Sequence, residues 1–312
     1  MGDVLAGIHA TWEFDTDSVL IRFERGIRTP RLFLSLRERR IPYAALSSVT
    51  LTPGKRGTVV LHAVPRPRAD PLLEAAAGQL KESCDPCRLV LPAGSETLAE
   101  YYAGELRALL GEEASLPADR FMVTAPEPPM HFKAYDGRAA FDGRLVSFRW
   151  SRTGASSAKW KAGDQTFPVA DLGGIEWRSP EAFEGYLRLL PRGACADPGE
   201  PAEGGPGPGP GPARGTALAV RRVPPDQDPA AVVFGLGYGP VHESLPFAAA
   251  VLESVRRTQS VPVATAPVPV GGGRRDPADI AERMRHLGDL HHAGLVTDAE
   301  FSAKKAELLA EL

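Results

Sequence analysis

The chain has 312 residues, of which 43% are hydrophobic and 24% charged, and its formal net charge is −3. This length and composition predict about two globular domains with buried cores, and so small a charge gives no argument for a nucleic-acid or membrane partner. The beginning of the chain has no signal-peptide pattern, no apolar run is long enough to span a bilayer, and three cysteines are too few for a disulfide framework. We therefore expect a soluble cytoplasmic protein.

Four landmarks occur twice in the same order, which predicts an internal duplication. The first copy has Phe14-Asp15, Ile41-Pro42-x-Ala44-x-Leu46, Gly57-Thr58-Val59-Val60-Leu61 and Asp85-Pro86-x-x-Leu89-Val90-Leu91. The second copy has Phe141-Asp142, Phe167-Pro168-x-Ala170-x-Leu172, Gly185-Tyr186-Leu187-Arg188-Leu189 and Asp228-Pro229-x-x-Val232-Val233-Phe234. After the first landmark of each copy, apolar and polar residues alternate, which is typical of a strand with one buried face.

Each copy is predicted to end in a helix. In the first helix a capping box formed by Thr97 and Glu100 precedes an apolar stripe of Leu98, Tyr102, Leu106 and Leu109. In the second, Ser244 is the expected cap, Pro246 falls in the first turn, and the stripe is Leu245, Ala248, Leu252 and Val255. Strands followed by one helix, without βα alternation, predict an α+β fold in which an antiparallel sheet is covered by a helix.

The connecting segments divide the chain into three predicted units. The repeats occupy 1–110 and 130–257, with a linker at 111–129 and a flexible linker at 258–275. Within the second repeat, Gly or Pro makes up 14 of the 23 residues from Gly193 to Gly215. That tract is predicted to be a disordered insertion, because it cannot bury enough apolar surface to offset its ordering entropy.

Residues 276–312 are predicted to form a helical hairpin. The first helix starts at Asp276-Pro277 and ends at Gly294, and the second is capped by Thr297 with Glu300. Two helices this short cannot build a core alone, so we expect self-association through an apolar stripe that comprises Ile280, Met284, Leu287, Leu290, Phe301 and Leu308.

Residues 5–257 resemble the bacterial family known only as domain of unknown function 4429, whose members carry the module in tandem. The resemblance rests on Thr11-Trp12-x-Phe14-Asp15, Ile41-Pro42-x-Ala44-x-Leu46 and Asp85-Pro86-x-x-Leu89-Val90. It implies a pleckstrin-homology-like fold, a bent antiparallel sheet capped by a C-terminal helix. The second copy departs from the pattern, because Arg138-Ala139 replaces Thr-Trp and the Gly/Pro tract interrupts it.

The C-terminal unit resembles the short C-terminal domain called SHOCT. The matching pattern is Leu287-x-x-Leu290-x-x-x-Gly294-Leu295-Val296-Thr297-x-x-Glu300-Phe301-x-x-x-Lys305-x-x-Leu308-Leu309. This resemblance implies oligomerisation, with no catalytic residue to carry over.

Three patterns that suggest a reactive or ligand-binding site have simpler interpretations. Cys84-Asp85-Pro86-Cys87 precedes a strand and has no second cysteine pair, so we expect a turn. The segment from Gly235 to Pro240 resembles a dinucleotide loop but has Pro where the third glycine belongs, so we expect a turn before a helix. The histidines of the predicted hairpin are expected on a solvated face: His286, His291 and His292.

Two basic stretches, 22–40 and 149–161, follow equivalent strands of the two repeats. They supply the candidate anion-binding residues Arg22, Arg25, Arg28, Arg31, Arg149, Arg152, Lys159 and Lys161. The alternative interpretation is an ordinary charged loop whose charges also protect an edge strand.

These observations predict a non-catalytic binding or scaffold protein that needs no cofactor and no metal. The tandem domains would present protein- or peptide-binding surfaces, and the hairpin would make the chain a homo-oligomer. The alternative is a peripheral protein that binds anionic lipid through the two basic stretches.

Overall fold

The computed structural model describes residues 3–182, 184–193 and 223–260. Contacts divide the chain into a compact unit, Met1–Val261, and a second unit, Pro262–Leu312. The predicted hairpin and nearly all of the Gly/Pro tract lie outside the described residues.

The first repeat forms two small antiparallel sheets followed by a helix. Strands β1 to β4 form one sheet in that order and strands β5 to β7 form the other. The elements are β1 Asp3–Ala6, β2 Ala10–Phe14, β3 Ser18–Phe23, α1 Arg31–Leu36, β4 Glu38–Pro42, β5 Leu46–Pro53, β6 Val59–Pro65, α2 Pro71–Ala76, β7 Arg88–Leu91 and α3 Glu96–Ala108.

The second repeat has the same order of strands. Strands β8 to β11 form a four-stranded antiparallel sheet and β12 to β14 a three-stranded one, and a helix again follows. The elements are β8 Met130–Lys133, β9 Gly137–Phe141, β10 Leu145–Trp150, α4 Ser157–Ala162, β11 Gln165–Pro168, β12 Leu172–Arg178, β13 Tyr186–Pro191, β14 Ala231–Val233 and α5 Val241–Ser260. The predicted α+β class and antiparallel pairing are confirmed, but each repeat has two sheets where the sequence predicted one.

The Asp-Pro landmark performs the same task in both repeats. One carboxylate oxygen of Asp85 accepts the amide N–H two residues along at 2.9 Å, and the other lies 3.1 Å from Nε2 of His62 on β6. In the second repeat Asp228 likewise accepts the amide two residues along at 2.8 Å and lies 2.9 Å from Nε of Arg188 on β13. The aspartate therefore shapes the turn into the last strand and fixes that strand to the middle one.

The Ile/Phe-Pro landmark marks the passage from one sheet to the other. Pro42 and Pro168 end β4 and β11 and precede one-turn 3₁₀ helices, Tyr43–Ala45 and Val169–Asp171. Each turn leads directly into the first strand of the three-stranded sheet. The fixed φ of proline suits the start of such a turn.

The helix α3 differs in detail from the sequence prediction. It begins at Glu96, so Thr97 and Glu100 lie inside it and form no capping box. Its buried face contains Tyr102 and Leu106 together with two alanines, whereas Leu98 and Leu109 are 48% and 51% exposed. The apolar stripe is therefore narrower than predicted.

Residues 244–252 of the helix α5 are buried on every side rather than along one stripe. All residues from 244 to 252 are buried, because α5 packs on β12 of its own repeat and on α1 and α2 of the first repeat. The prediction that Ser244 caps the helix is wrong, since α5 begins three residues earlier. The Ser244 hydroxyl instead donates to the carbonyl of Pro240 at 3.0 Å and accepts from Nε1 of Trp177 at 3.1 Å.

The segment 111–129 packs on the first repeat. The amide of Ala118 donates to the carbonyl of Pro67, and the amide of Val123 donates to that of Ala69. Ala118, Val123 and Ala125 are buried. This connection therefore contributes to the shared core.

Candidate binding surfaces

The predicted anion-binding residues of the first repeat differ in whether a carboxylate of the chain already pairs with them. Arg22 on β3 lies 2.9 Å from Glu13 and 3.7 Å from Glu38, so its charge is already balanced. The remaining three are exposed and contact no carboxylate in the described part of the chain: Arg25, Arg28 and Arg31.

Another arginine of the first basic stretch is structural. The Arg39 side chain is 4% exposed and its Nη2 lies 2.7 Å from Oδ1 of Asp70, which is 1% exposed. The same oxygen accepts the amide of Leu72 at 2.9 Å and so caps α2. The buried ion pair thus anchors the helix on which α5 packs.

Lys159 in the second stretch is buried and cannot meet an external anion, so its prediction as an anion-binding residue is corrected. Its side chain is 0% exposed, and its Nζ lies 2.5 Å from Oδ2 of Asp136 and 2.8 Å from the carbonyl of Ala231. The other Asp136 oxygen accepts the amide of Val233 at 3.0 Å. Burial lowers the pKa of Lys159 and raises the pKa of Asp136, and in each case the charge of the partner opposes the shift.

The burial of Lys159 follows from its place in the repeat. In the first repeat Phe23, at the end of β3, stacks on Phe33 of α1 with 4.5 Å between the ring centroids. In the second, Trp150 ends β10 and the Nζ of Lys159, at the same position of α4, lies 4.9 Å from the indole centroid. A cation–π contact therefore replaces an aromatic stack.

The three other candidates of the second repeat are exposed and contact no carboxylate among the described residues: Arg149, Arg152 and Lys161. On the outer face of the sheet, Arg149 lies directly opposite Arg138 of the neighbouring strand β9. Sequence analysis did not identify Arg138 as a site residue. Its signal was the departure of Arg138-Ala139 from the Thr-Trp of the first repeat.

Polar contacts join the two repeats along α2 and α5. Nη2 of Arg256 on α5 lies 2.5 Å from Oε1 of Glu74 on α2. Just beyond α2, the Gln79 amide group donates to the carbonyl of Trp177 at 3.0 Å and accepts the amide N–H of Ser179 at 3.0 Å. These contacts fix the end of β12 and the helix α5 against the first repeat.

A cleft of about 730 Å³ is lined by loops of both repeats, including Cys84 and His242. The predicted turn at Cys84-x-x-Cys87 is confirmed, because a 3₁₀ turn precedes β7. Cys87 is fully buried, and burial raises the pKa of its thiol well above the ordinary value. The predicted turn between β14 and α5 is also confirmed, and it contains an isolated bridge between Gly235 and Tyr238.

The remaining candidates lie outside the described residues. They are the oligomerisation stripe, Ile280, Met284, Leu287, Leu290, Phe301 and Leu308, and the three histidines His286, His291 and His292. Within the described ranges, no group of three or more His, Cys, Asp or Glu residues has the geometry to hold a metal ion.

None of the helices in residues 3–182, 184–193 and 223–260 is long and apolar enough to cross a bilayer.

Comparison with known proteins supports the tandem arrangement. No curated protein matches the chain. The family described as Domain of unknown function (DUF4429) matches twice, at residues 12–107 and 139–252. The two matches cover most of the chain, and each contains all but the first strand and the start of the second strand of its repeat, so this protein belongs to the DUF4429 family.

Proposed function

We propose that the protein is a non-catalytic binding or scaffold protein whose two repeats act as one double module. The observation that carries this proposal is the burial of residues 244–252 of α5 on all sides between the repeats. A tether between independent domains would leave one face of that helix in water. Buried on both faces, α5 holds the ligand-binding surfaces of the two repeats in a fixed orientation, as a scaffold requires.

The pleckstrin-homology-like fold is part of the proposal. Its support is that each repeat has a four-stranded and a three-stranded antiparallel sheet followed by a helix. In such a module the helix closes one end of the bent sheets, and the strand edges and loops remain available for peptides or proteins. The ligand of each module would then be recognised at those edges and loops.

We further propose that residues 276–312 form a SHOCT-like hairpin that joins copies of the chain. The support is the apolar stripe in its sequence, since burying each such side chain is worth about 1.5–3 kcal/mol. Light scattering on the full chain and on a chain shortened after Pro269 tests this proposal. The full chain should be larger than a monomer and the shortened chain monomeric, and Leu287→Asp should return the full chain to the monomer, because a buried unpaired charge is costly. If both chains are monomeric at micromolar concentration, the hairpin does not assemble the protein.

A second candidate function is binding to an anionic membrane surface through the stretches 22–40 and 149–161. The observation that favours it is the exposure of Arg25, Arg28 and Arg31 in one stretch and of Arg152 and Lys161 in the other. Changing Arg28, Arg31, Arg152 and Lys161 to Glu should abolish pelleting with acidic vesicles. Binding of the unaltered protein should weaken as salt rises, because exposed charges are screened. If the unaltered protein does not pellet at low salt, this function is excluded.

A further inference from the structure

Three cations face one another across the outer face of the second four-stranded sheet. On β8, β9 and β10 the residues directly opposite one another in register are Lys133, Arg138 and Arg149. Directly opposed residues on antiparallel strands have Cα atoms about 4.5–5.5 Å apart, and like charges in such pairs are destabilising. Among the described residues, no carboxylate forms an ion pair with any of the three, although the Lys133 ammonium lies 5.1 Å from the centroid of the Tyr238 ring. The fold therefore maintains an uncompensated positive charge on this face.

The first repeat provides an internal comparison. Its equivalent of Arg149 is Arg22, which lies opposite Thr11 rather than another cation. Glu13 and Glu38 lie 2.9 Å and 3.7 Å from the Arg22 guanidinium. The same sheet face is thus neutralised in one repeat and left positive in the other, so the fold itself does not require the row of cations.

The positive face is also concave. Arg138 and Arg149 line a depression of about 450 Å³. Ala140 and Ser147 lie opposite each other in the next row of the sheet, and their small side chains leave room above the strands. The other polar groups that line the depression are His131, Ser147, Thr166 and Asp142, so two hydroxyls, an imidazole and one carboxylate accompany the two guanidinium groups.

Two carboxylates near this face accept hydrogen bonds from backbone amides. Asp142, which also lines the depression, accepts the amides of Leu145 at 2.7 Å and Arg144 at 2.8 Å. These backbone hydrogen bonds lower the pKa of Asp142. Asp164 accepts the amide of Trp150 at 3.2 Å. An anionic ligand is therefore favoured near Arg138 and Arg149 and disfavoured near Asp142.

We propose that this concave face, centred on Arg138 and Arg149, binds a phosphate monoester. A guanidinium group offers a planar fork of N–H donors that matches phosphate oxygens in bidentate geometry. Two opposed guanidinium groups hold a dianion between them and lose their mutual repulsion as they do so. The hydroxyls of Ser147 and Thr166 supply neutral donors. The site goes beyond the basic stretch 149–161, because it places Arg149 beside Arg138 on the sheet instead of in a loop.

The test uses the full chain and two sources of the same group. Glycerol 3-phosphate is the soluble monoester, titrated by calorimetry and by the shift of the thermal midpoint. Phosphatidylcholine vesicles that contain phosphatidic acid present the monoester on a lipid. Binding of either probe supports the site and identifies its source. If neither probe binds at low salt, the proposal is overturned.

Variants then locate the binding. Arg138→Gln and Arg149→Gln should each weaken binding about tenfold, the loss expected for a charge-assisted hydrogen bond. The matched control, Arg22→Gln, removes a charge that Glu13 and Glu38 already neutralise on the equivalent sheet face of the first repeat, and it should leave the binding of glycerol 3-phosphate unchanged. Equal weakening by all three variants would show a nonspecific charge effect and would overturn the site.

One further variant separates binding from folding. Arg138→Glu places an acid opposite Arg149 and so reproduces on the second repeat the neutralisation that Glu13 provides on the first. It should abolish binding and at the same time raise the thermal midpoint, because a cross-strand ion pair replaces a repulsion. A variant that still binds the monoester would contradict the proposal, and so would a variant whose midpoint falls. The scaffold proposal does not depend on either result.

Discussion

Replacing Lys159 with methionine tests the interpretation that this residue is structural. Methionine preserves most of the buried apolar stem but removes the ammonium group. The carboxylate of Asp136 then loses its 2.5 Å partner, and the carbonyl of Ala231 on β14 loses a donor at 2.8 Å. Both acceptors lie where β14 meets the four-stranded sheet, so the change weakens the junction of the two sheets of the second repeat.

The size of the effect follows from burial. Breaking a buried ion pair by removing one partner costs about 3–5 kcal/mol of unfolding free energy. With a urea m-value of about 3 kcal/mol per molar, the unfolding midpoint should fall by roughly 1–1.7 M. The matched control is Lys161→Met on the same helix, where the side chain is exposed. A surface substitution of that kind should change stability by less than about 0.5 kcal/mol.

The loss of unfolding free energy in Lys159→Met should be larger at neutral pH than in acid. Burial already raises the pKa of Asp136 above its ordinary 3.8, and the loss of Lys159 raises it further. The folded variant then binds a proton more tightly than its unfolded chain, so its stability grows as pH falls through the raised pKa towards 3.8 and is lost as pH rises. Urea unfolding at neutral and mildly acidic pH measures this. A deficit below about 1 kcal/mol at neutral pH, or one that does not shrink in acid, would refute the reasoning.

Three other predictions concern an ion pair between the repeats, the Asp-Pro landmark and the Gly/Pro tract. Arg256→Gln should lower the free energy of unfolding in urea by about 1.5–3 kcal/mol, because it removes the charge that pairs with Glu74 of the other repeat. A loss within about 0.5 kcal/mol would show that this contact does not hold the repeats together. Asp228→Asn should cost a similar amount by the same assay, since the Arg188 side chain, 7% exposed, loses its nearer carboxylate and keeps Glu176 at 3.6 Å. An unchanged midpoint would contradict the role given to the Asp-Pro landmark. Deleting Gly193 to Gly215 should leave the thermal midpoint almost unchanged, because a Gly/Pro-rich tract contributes little buried apolar surface; a large fall would place the tract in the core.

The duplication could be predicted because the signals that mark it are local. In the Asp-Pro turn, the aspartate carboxylate accepts a hydrogen bond from the amide two residues further along the chain. Pro42 and Pro168 mark the passage between the sheets. Each signal lies within a few residues, so two copies of it are visible without knowledge of the tertiary structure. The alternation after Phe14 and Phe141 likewise gives the buried face of a strand directly.

The interface between the repeats could not be predicted in the same way. An apolar stripe on α5 predicts one packing face, whereas the second face is buried by α1 and α2, elements that lie more than a hundred residues earlier. The unbroken apolar run from Leu245 to Leu252, interrupted by no polar residue, was the available signal. Lys159 was misplaced for a related reason: a lysine near other basic residues indicates a solvated loop, and only the fold brings Asp136 to it.

The most direct test of the central claim, that the two repeats form one unit through α5, is differential scanning calorimetry of the full chain. The account predicts that residues 1–261 unfold in a single cooperative transition, for which the calorimetric enthalpy equals the van't Hoff enthalpy. The reason is that neither repeat can unfold without exposing the buried faces of α5. Two separated transitions, each with the enthalpy of about half the compact unit, would contradict it.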